Sequence, residues 1–259
     1  MNNILVNPDI HGRSFWKKSC EHIEEYDRVI FLGDYLDPYS FEYISVESAI
    51  SNFEDIIDLK RNNTDKVVLL LGNHDMPYYS DVYFHFSSWH SRHSSMFHEQ
   101  IKEMFNANKD LFKIAHVEKD VIFTHAGIES GWLRKIVKCD SSDIHEICEV
   151  INKLTEDVSG LSKLFTVSLS RGGHDKYASC IWSDVNDMEW SLKSEGYDDK
   201  EFHDMKQIFG HTIQTHMGLK NNVEFGKAIE FANCKMIDTA QSYVLDTDSF
   251  IINPIEKRV

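Results

Sequence analysis

Aspartate, histidine and asparagine side chains recur in short clusters along this 259-residue chain, each with a glycine close by. One such residue alone is usually a structural histidine or a turn cap. Here carboxylate, imidazole and amide groups recur in order without a thiol, which is the donor mixture that hard and borderline divalent ions prefer. The sequence therefore predicts a metal site, and the clusters are Asp9 and His11, Gly33 and Asp34, Gly72 to Asp75, His125, and Gly210 and His211.

The donor types also indicate what such a site would do. Two ions held close together need a ligand with two oxygens to bridge them, and a carboxylate is such a ligand. A bridged pair of ions lowers the pKa of a shared water and neutralises charge on phosphoryl oxygens. Such a pair would supply a metal-activated hydroxide at neutral pH and would suit a substrate with phosphoryl oxygens.

Each cluster follows a short, β-branched apolar run that is typical of a buried strand. The carboxyl ends of strands in an open α/β sheet are where loops converge into a site. Five strands that deliver Asp, His or Asn side chains at their ends therefore favour one shared site. The runs cover residues 4–6, 29–32, 66–71, 121–124 and 207–209.

The rest of the chain predicts helices between the early strands and more strands near the end. Apolar residues recur at helical spacing over 14–26, 45–60, 96–107 and 142–156. Further strand patterns, with hairpin signals, cover 228–231, 235–237, 243–245 and 250–252. This order predicts an α/β class with more than one sheet. No linker composition divides the chain, so we expect one domain over residues 1–259.

Charge and cysteine usage restrict the partners and the compartment. The chain has 42 acidic and 27 basic side chains and a net charge of −15, which would repel a long nucleic acid. A small phosphorylated substrate remains compatible because bound metals reverse the charge locally. No signal-peptide pattern or membrane-length apolar run is present, so we expect no membrane partner. Five scattered cysteines indicate reduced thiols and a cytoplasmic location.

In this order, over residues 4–245, the clusters resemble the signature of the calcineurin-like metallophosphoesterases. Within that superfamily the chain is similar to the phosphoprotein-phosphatase branch and to bacterial diadenosine tetraphosphatases. The segments that carry the resemblance are Asp9-x-His11-Gly12, Gly33-Asp34-x-x-Asp37, Gly72-Asn73-His74-Asp75, Thr124-His125-Ala126-Gly127-Ile128, Ile181-Trp182-Ser183-Asp184 and Gly210-His211-Thr212.

The resemblance implies a four-layer α/β/β/α sandwich with two mixed sheets and two divalent metal ions at one edge. Manganese is the expected metal, with iron, zinc, cobalt or nickel as alternatives. His74 would donate a proton to the leaving oxygen, and Asp37 would orient it. The first ion would be held by Asp9, His11 and Asp34, and the second by Asp34, Asn73, His125 and His211.

Two departures from the family pattern bear on the substrate. Superfamily diesterases often have a second histidine two residues after the position of His211, but this chain has Ile213, which favours the phosphatase branch. That branch usually has a phosphate-binding arginine after the position of Asp37, where this chain has Pro38. Either another arginine binds the phosphate, or the substrate is held in a different way. Arg171 in a glycine loop is the preferred candidate, followed by Arg92 in an aromatic stretch that we expect to border the site, and by Arg13.

Three functions follow from these patterns. The first is hydrolysis of a phosphomonoester or of a small nucleotide-type phosphoanhydride. The second is a protein serine/threonine phosphatase, which would act on a phosphoprotein. The third is a metal-free scaffold that keeps the fold and binds partners. All six implied metal ligands are present, and this favours the enzymes over the scaffold.

Overall fold

The computed structural model of the chain describes residues 3–87, 92–194, 202, 204–213 and 226–255. Within these ranges the strands are β1 (Asn3–Asn7), β2 (Arg28–Phe31), β3 (Val67–Leu70), β4 (Phe112–Lys113), β5 (Ala115–Glu118), β6 (Val121–Thr124), β7 (Lys206–Phe209), β8 (Ile229–Phe231), β9 (Cys234–Met236), β10 (Tyr243–Asp246) and β11 (Ile251–Pro254). The helices are α1 (Phe15–Ser19), α2 (Val46–Asn62), α3 (Met76–Tyr79), α4 (Asp81–Ser87), α5 (His98–Ala107), α6 (Ile144–Lys153), α7 (Val158–Leu164) and α8 (Val185–Ser194), with a π-helical stretch at Trp132–Val137.

The first sheet has the strand order β11-β10-β1-β2-β3-β4. Strands β1 to β4 run parallel, with Leu5 opposite Val29 and Val29 opposite Val67. β10 and β11 are antiparallel, so the sheet is mixed. The central strands are runs of valine, isoleucine, leucine and phenylalanine that are buried, as expected for parallel strands covered on both faces.

The second sheet has the order β5-β6-β7-β9-β8 and is also mixed. β6, β7 and β9 run parallel, with Gln207 opposite Ile122 on one side and Cys234 on the other. The outer strands β5 and β8 are antiparallel to their neighbours. The predicted hairpin character of the chain end is confirmed by the β8–β9 and β10–β11 pairs.

Alternate residues of the two sheets meet in an apolar layer between them. Ile30 and Val68 of the first sheet join Phe123 and Ile208 of the second in one buried cluster. The residues between them along the strands belong to a second cluster, which includes the helices. Because side chains alternate between the faces of a sheet, each sheet has a helical layer on its other side.

The helices supply these two outer layers. α2 packs against β3 of the first sheet, and α6 packs against β5 and β6 of the second. α2 is capped by Ser45, whose Oγ accepts the N–H of Ser48 at 3.1 Å, and it buries Ile50, Phe53 and Ile57. The predicted α/β/β/α sandwich with two mixed sheets is therefore confirmed.

The prediction of one helix over 14–26 is wrong in extent. α1 ends at Ser19 and buries only Trp16, and a separate 3₁₀ turn covers Ile23–Glu25. Most side chains between these elements are exposed, so a longer helix would gain little packing energy, which is the main source of helix stability. The helices predicted over 45–60, 96–107 and 142–156 are confirmed as α2, α5 and α6.

Within the described residues, none of the helices combines the length and the apolar character needed to cross a membrane.

Candidate metal centre

The loops after β1, β2, β3, β6 and β7 converge at the carboxyl ends of these strands, as the sequence predicts. Among the non-glycine residues of these loops with a positive φ are His11 at 45°, Asp34 at 54°, Asp37 at 57° and His211 at 68°. Left-handed conformations of non-glycine residues cluster at functional sites, where the surroundings hold them. All six candidate metal ligands are buried here.

Asp9, His11 and Asp34 form the first group of donors. One ligand atom from each lies within 4.8 Å of the other two, and His11 Nε2 is 3.5 Å from Asp34 Oδ2. The Nδ1–H of His11 donates to the carbonyl of Leu36 at 2.9 Å. This hydrogen bond leaves the Nε2 lone pair facing the carboxylates, as a metal ligand requires.

Asp34, His125 and His211 form the second group. His125 Nε2 lies 3.0 Å from Asn73 Oδ1 and 3.1 Å from His211 Nδ1. The same nitrogen is 3.4 Å from Asp34 Oδ2. Asp34 thus belongs to both groups, and its Oδ2 lies between His11 and His125.

The second group fits a cation. His125 donates its Nδ1–H to the carbonyl of Leu32 at 2.9 Å, so its Nε2 carries a lone pair. This lone pair faces the neighbouring donor atoms, Asn73 Oδ1 and His211 Nδ1. Among the described residues, Nε2 of His211 is buried and has no hydrogen-bond partner. A positive ion among these atoms would turn close lone-pair contacts into favourable ones. Two ions that share Asp34 match this donor set of oxygen and nitrogen.

Two glycines leave the space that the carboxylates occupy. A Cβ at Gly72 would lie 2.1 Å from Asp34 Oδ1, and a Cβ at Gly210 would lie 2.2 Å from Asp9 Oδ1. No side chain larger than hydrogen fits at either position without moving a ligand. The glycines of these two clusters therefore have a steric role.

Asp75 is a buried carboxylate that ties two of the loops together, and the sequence assigns it no role. It accepts the N–H groups of Asp34 at 2.7 Å, Tyr35 at 2.9 Å and Gly72 at 2.8 Å. Burial and the charge of Asp34 raise the pKa of Asp75 well above its ordinary value. The position of Asp34 thus depends on Asp75.

His74 lies beside the metal donors and is held by a chain of hydrogen bonds. Its Nδ1–H donates to Asp37 Oδ2 at 2.9 Å, and the hydroxyl of Tyr78 donates to Asp37 Oδ1 at 2.6 Å. The N–H of Ser94 donates to the Tyr78 oxygen at 2.7 Å. Burial lowers the pKa of His74, whereas the charge of Asp34 and the hydrogen bond to Asp37 raise it. The upward effects together exceed the effect of burial, so the net shift of the pKa is upward.

Two histidines among the candidate ligands, His11 and His211, have pKa values shifted in the opposite direction. Burial lowers the pKa of His11 to about 3 and, with the nearby charge of Arg171, lowers the pKa of His211 well below its ordinary value. Both imidazoles are therefore neutral at pH 7, which is the state that binds a metal ion.

Of the arginines predicted to bind phosphate, Arg92 lies beside Asp37. Its guanidinium carbon is 3.9 Å from the ring centroid of Tyr39, and Nη2 donates to the Asp37 carbonyl at 3.2 Å. Arg13 is buried, with Nε donating to Glu42 at 2.6 Å and Nη1 to the Asp9 carbonyl at 3.1 Å. Arg13 thus braces the loop that carries Asp9.

Arg171 lies beside His211. Its Nη2 donates to the hydroxyl of Thr212 at 2.7 Å and is 3.1 Å from Asp184 Oδ2. The indole of Trp182 lies 6.0 Å from the His211 ring. The predicted tryptophan-serine-aspartate segment therefore adjoins the site.

Asp238 is a further buried carboxylate that the sequence prediction missed. It leaves 2% of its surface exposed, and its Oδ1 has no hydrogen-bond partner in the part of the chain that the structure describes. Burial and the charge of Asp9 raise its pKa well above the ordinary value. Asp238 follows the predicted strand at 235–237, so the strand-end rule that identified the other residues also applies to it.

Comparison with known proteins agrees with this geometry. The model of the calcineurin-like phosphoesterase family matches residues 3–215. The fold is similar to a cold-active protein-tyrosine phosphatase of a psychrophilic Shewanella species, with 15% identity, a TM-score of 0.54, and coverage of 99% of this chain and 81% of that one. It is also similar to a protein serine/threonine phosphatase of Saccharomyces cerevisiae, with 13% identity, a TM-score of 0.51, and coverage of 99% and 80%. No sequence among the curated proteins matches the chain.

This chain belongs to the calcineurin-like phosphoesterase family. It is therefore a metal-dependent phosphoesterase, in the class of phosphoric ester hydrolases.

Proposed function

We propose that this enzyme hydrolyses phosphomonoesters, or phosphoanhydrides of small nucleotides, with two divalent ions held by the two donor groups. The observation that carries the proposal is the position of Asp34. Its Oδ2 lies 3.5 Å from His11 Nε2 and 3.4 Å from His125 Nε2, as expected for a bridging carboxylate. Ions bound there would lower the pKa of a water and neutralise charge on the phosphoryl oxygens.

Within this proposal, the chain's own residues divide into three tasks. Asp9, His11 and Asp34 hold one ion, and Asp34 holds the second with three residues of the other loops. His74 protonates the leaving oxygen, and Asp37 keeps its ring charged and oriented. The remaining ligands of the second ion are Asn73, His125 and His211.

The hydrogen-bond chain around His74 supports its role as the acid. Because Nδ1 of His74 is paired with Asp37 at 2.9 Å, the other ring nitrogen is left to donate to a leaving oxygen. The upward pKa shift favours the protonated ring at neutral pH. A general acid of this kind serves poor leaving groups, such as alkoxides, more than acidic ones.

Two arginines flank the donors and complete the proposal. Arg92 lies beside Asp37, next to the position where the phosphatase branch has its usual arginine. Arg171 lies beside His211 but already pairs with Asp184 at 3.1 Å. A guanidinium can bind phosphate oxygens through two parallel hydrogen bonds. Arg92 donates to a backbone carbonyl, whereas Arg171 is paired with a carboxylate that would compete with the phosphate. We therefore rank Arg92 before Arg171, the reverse of the order drawn from sequence, and give Arg13 a bracing role.

A substrate panel after metal analysis tests the proposal. Purified protein should contain two divalent ions per chain, and chelator should abolish turnover that manganese then restores. A chromogenic phosphomonoester should be hydrolysed faster than the matching diester, because Ile213 stands where superfamily diesterases often have a second histidine. Phosphopeptides, nucleotides and sugar phosphates in the same panel separate a small-molecule enzyme from a protein phosphatase. A single ion per chain, or preference for the diester, would contradict the proposal.

A further inference from the structure

The segment that follows Asp37 presents an aromatic surface that the proposed chemistry does not use. The ring of Tyr39 meets the ring of His11 edge-on, with 4.9 Å between centroids. Phe41 stacks on Tyr39 with 5.2 Å between centroids and 28° between planes, and it leaves 65% of its surface exposed. Tyr39 and Phe41 thus form an aromatic shelf that runs from a proposed metal ligand to solvent.

The shelf is held in place on both sides. The guanidinium of Arg92 lies 3.9 Å from the Tyr39 centroid. Directly after Phe41, Glu42 accepts a hydrogen bond from Arg13 Nε at 2.6 Å, and Arg13 is itself bound to the Asp9 carbonyl. A ring that packs on Phe41 would therefore meet a preorganised surface, which lowers the entropic cost of binding.

We propose that this aromatic shelf binds the base of a nucleoside 5′-phosphate whose phosphate lies at the metal centre. The proposal rests on the function proposed above and names its substrate class. Aromatic side chains next to phosphate-binding groups are stacking platforms for bases, because every base has a π-face. Arg92, beside the inner ring of the shelf, adds the positive charge that the phosphate requires.

The order of the rings favours a nucleoside over a simple aryl ester. Phe41 lies one ring further from His11 than Tyr39 does. An aromatic ring bonded directly to the ester oxygen would reach Tyr39, which is already in contact with Arg92 and Phe41. A ring separated from the phosphate by a sugar would reach the exposed Phe41.

The test compares adenosine 5′-monophosphate with ribose 5-phosphate, which share the same primary-alcohol ester and differ in the base. For the manganese-loaded enzyme, Phe41→Ala should lower the ratio of their kcat/KM values about tenfold, and Phe41→Trp should restore it. Ile251→Ala is the matched control, because Ile251 is an exposed apolar residue like Phe41, with 55% of its surface exposed. It pairs with Asp246, and Asp246 pairs with Asn3 at the amino end of β1, whereas the metal donors follow the carboxyl end of that strand. This variant should leave the ratio unchanged.

An unchanged ratio in Phe41→Ala would overturn the proposal. O-phospho-L-tyrosine supplies a directly bonded ring, and its kcat/KM should respond to Phe41→Ala less than that of the nucleotide. A larger response for phosphotyrosine would overturn the nucleoside assignment.

Calorimetry separates this proposal from the proposed function. If the wild-type enzyme hydrolyses neither these two compounds nor any member of the substrate panel, the proposed function fails, but the affinities can still be compared. Tighter binding of adenosine 5′-monophosphate than of ribose 5-phosphate, lost in Phe41→Ala, would support the shelf. Equal affinities for the two compounds would overturn it.

Discussion

Asp34 is the residue shared by both donor groups, and its substitution tests the dinuclear centre. Asp34→Asn removes the charge that bridges the two ions and should lower both metal content and turnover. Loss of a residue that hydrogen-bonds to a metal ligand typically lowers metal affinity or activity by roughly 10- to 100-fold. Loss of the bridging ligand itself should therefore lower them by at least about 100-fold. Elemental analysis and steady-state kinetics measure both effects. Full metal content with normal turnover would exclude the bridging role.

His74 acts on the leaving group in the proposed reaction, and leaving-group chemistry tests this. His74→Asn should lower turnover of an alkyl phosphate by roughly 10²- to 10⁴-fold with the metal content unchanged. The loss should be smaller for a nitrophenyl phosphate, whose leaving group needs no proton. Asp37→Asn should give a milder form of the same pattern, and Tyr78→Phe a still milder one. Equal losses for both substrates would rule out His74 as the acid.

The two arginines can be separated by their kinetic effects. Arg92→Ala should raise KM and lower kcat. Loss of a hydrogen bond between charged groups should lower kcat/KM by roughly 10- to 100-fold. Arg92→Lys should restore little, because an ammonium cannot make two parallel hydrogen bonds. Arg171→Ala should have the smaller effect. A larger loss in Arg171→Ala, with metals retained, would reverse the ranking.

At the scale of elements, the turns after β3 and β7 leave space for the carboxylates. Gly72→Ala and Gly210→Ala would place a methyl group 2.1 Å from Asp34 Oδ1 and 2.2 Å from Asp9 Oδ1. Both variants should fold and lose metal affinity by about 10-fold or more, because each displaces a ligand. Gly172→Asn is a control, since Gly172 has φ +79 with nothing near its Cβ position and asparagine tolerates that conformation. Metal titration with circular dichroism distinguishes these outcomes.

Much of the site could be predicted from the sequence, because most of its residues directly follow the end of a recognisable strand. His125 and His211 directly follow or nearly follow apolar runs, so their common edge is visible in the sequence. Arg92 is different, because it reaches Asp37 only through the packing of distant segments. No local pattern predicts a contact between residues so far apart in the chain.

The same distinction explains the residues whose roles were missed. Asp75 lies within a recognised motif, but its three backbone acceptor bonds depend on how two loops meet. Tyr78 contacts Asp37 for the same reason. Asp238 follows a predicted strand and was within reach of the rule. The length of α1 was overestimated, because helical spacing alone does not show whether another part of the chain packs against the helix.

For the whole molecule, the proposed metal centre joins the two sheets. Asp9, Asp34 and Asn73 follow strands of the first sheet, and His125 and His211 follow strands of the second. Ions bound to both sets would therefore stabilise the contact between the sheets.

Metal removal should therefore lower the thermal stability of the entire fold. Binding at about 100 times Kd stabilises a protein by roughly 2.7 kcal/mol, which corresponds to about 5–10 °C in Tm for a chain of this size. Calorimetry of chelator-treated protein should show this decrease, and added manganese should reverse it. Asp34→Asn should show a much smaller metal-dependent shift, because it cannot bridge the ions. Hydrogen exchange should speed up in both sheets after chelation; a change confined to one sheet would contradict a centre that joins them.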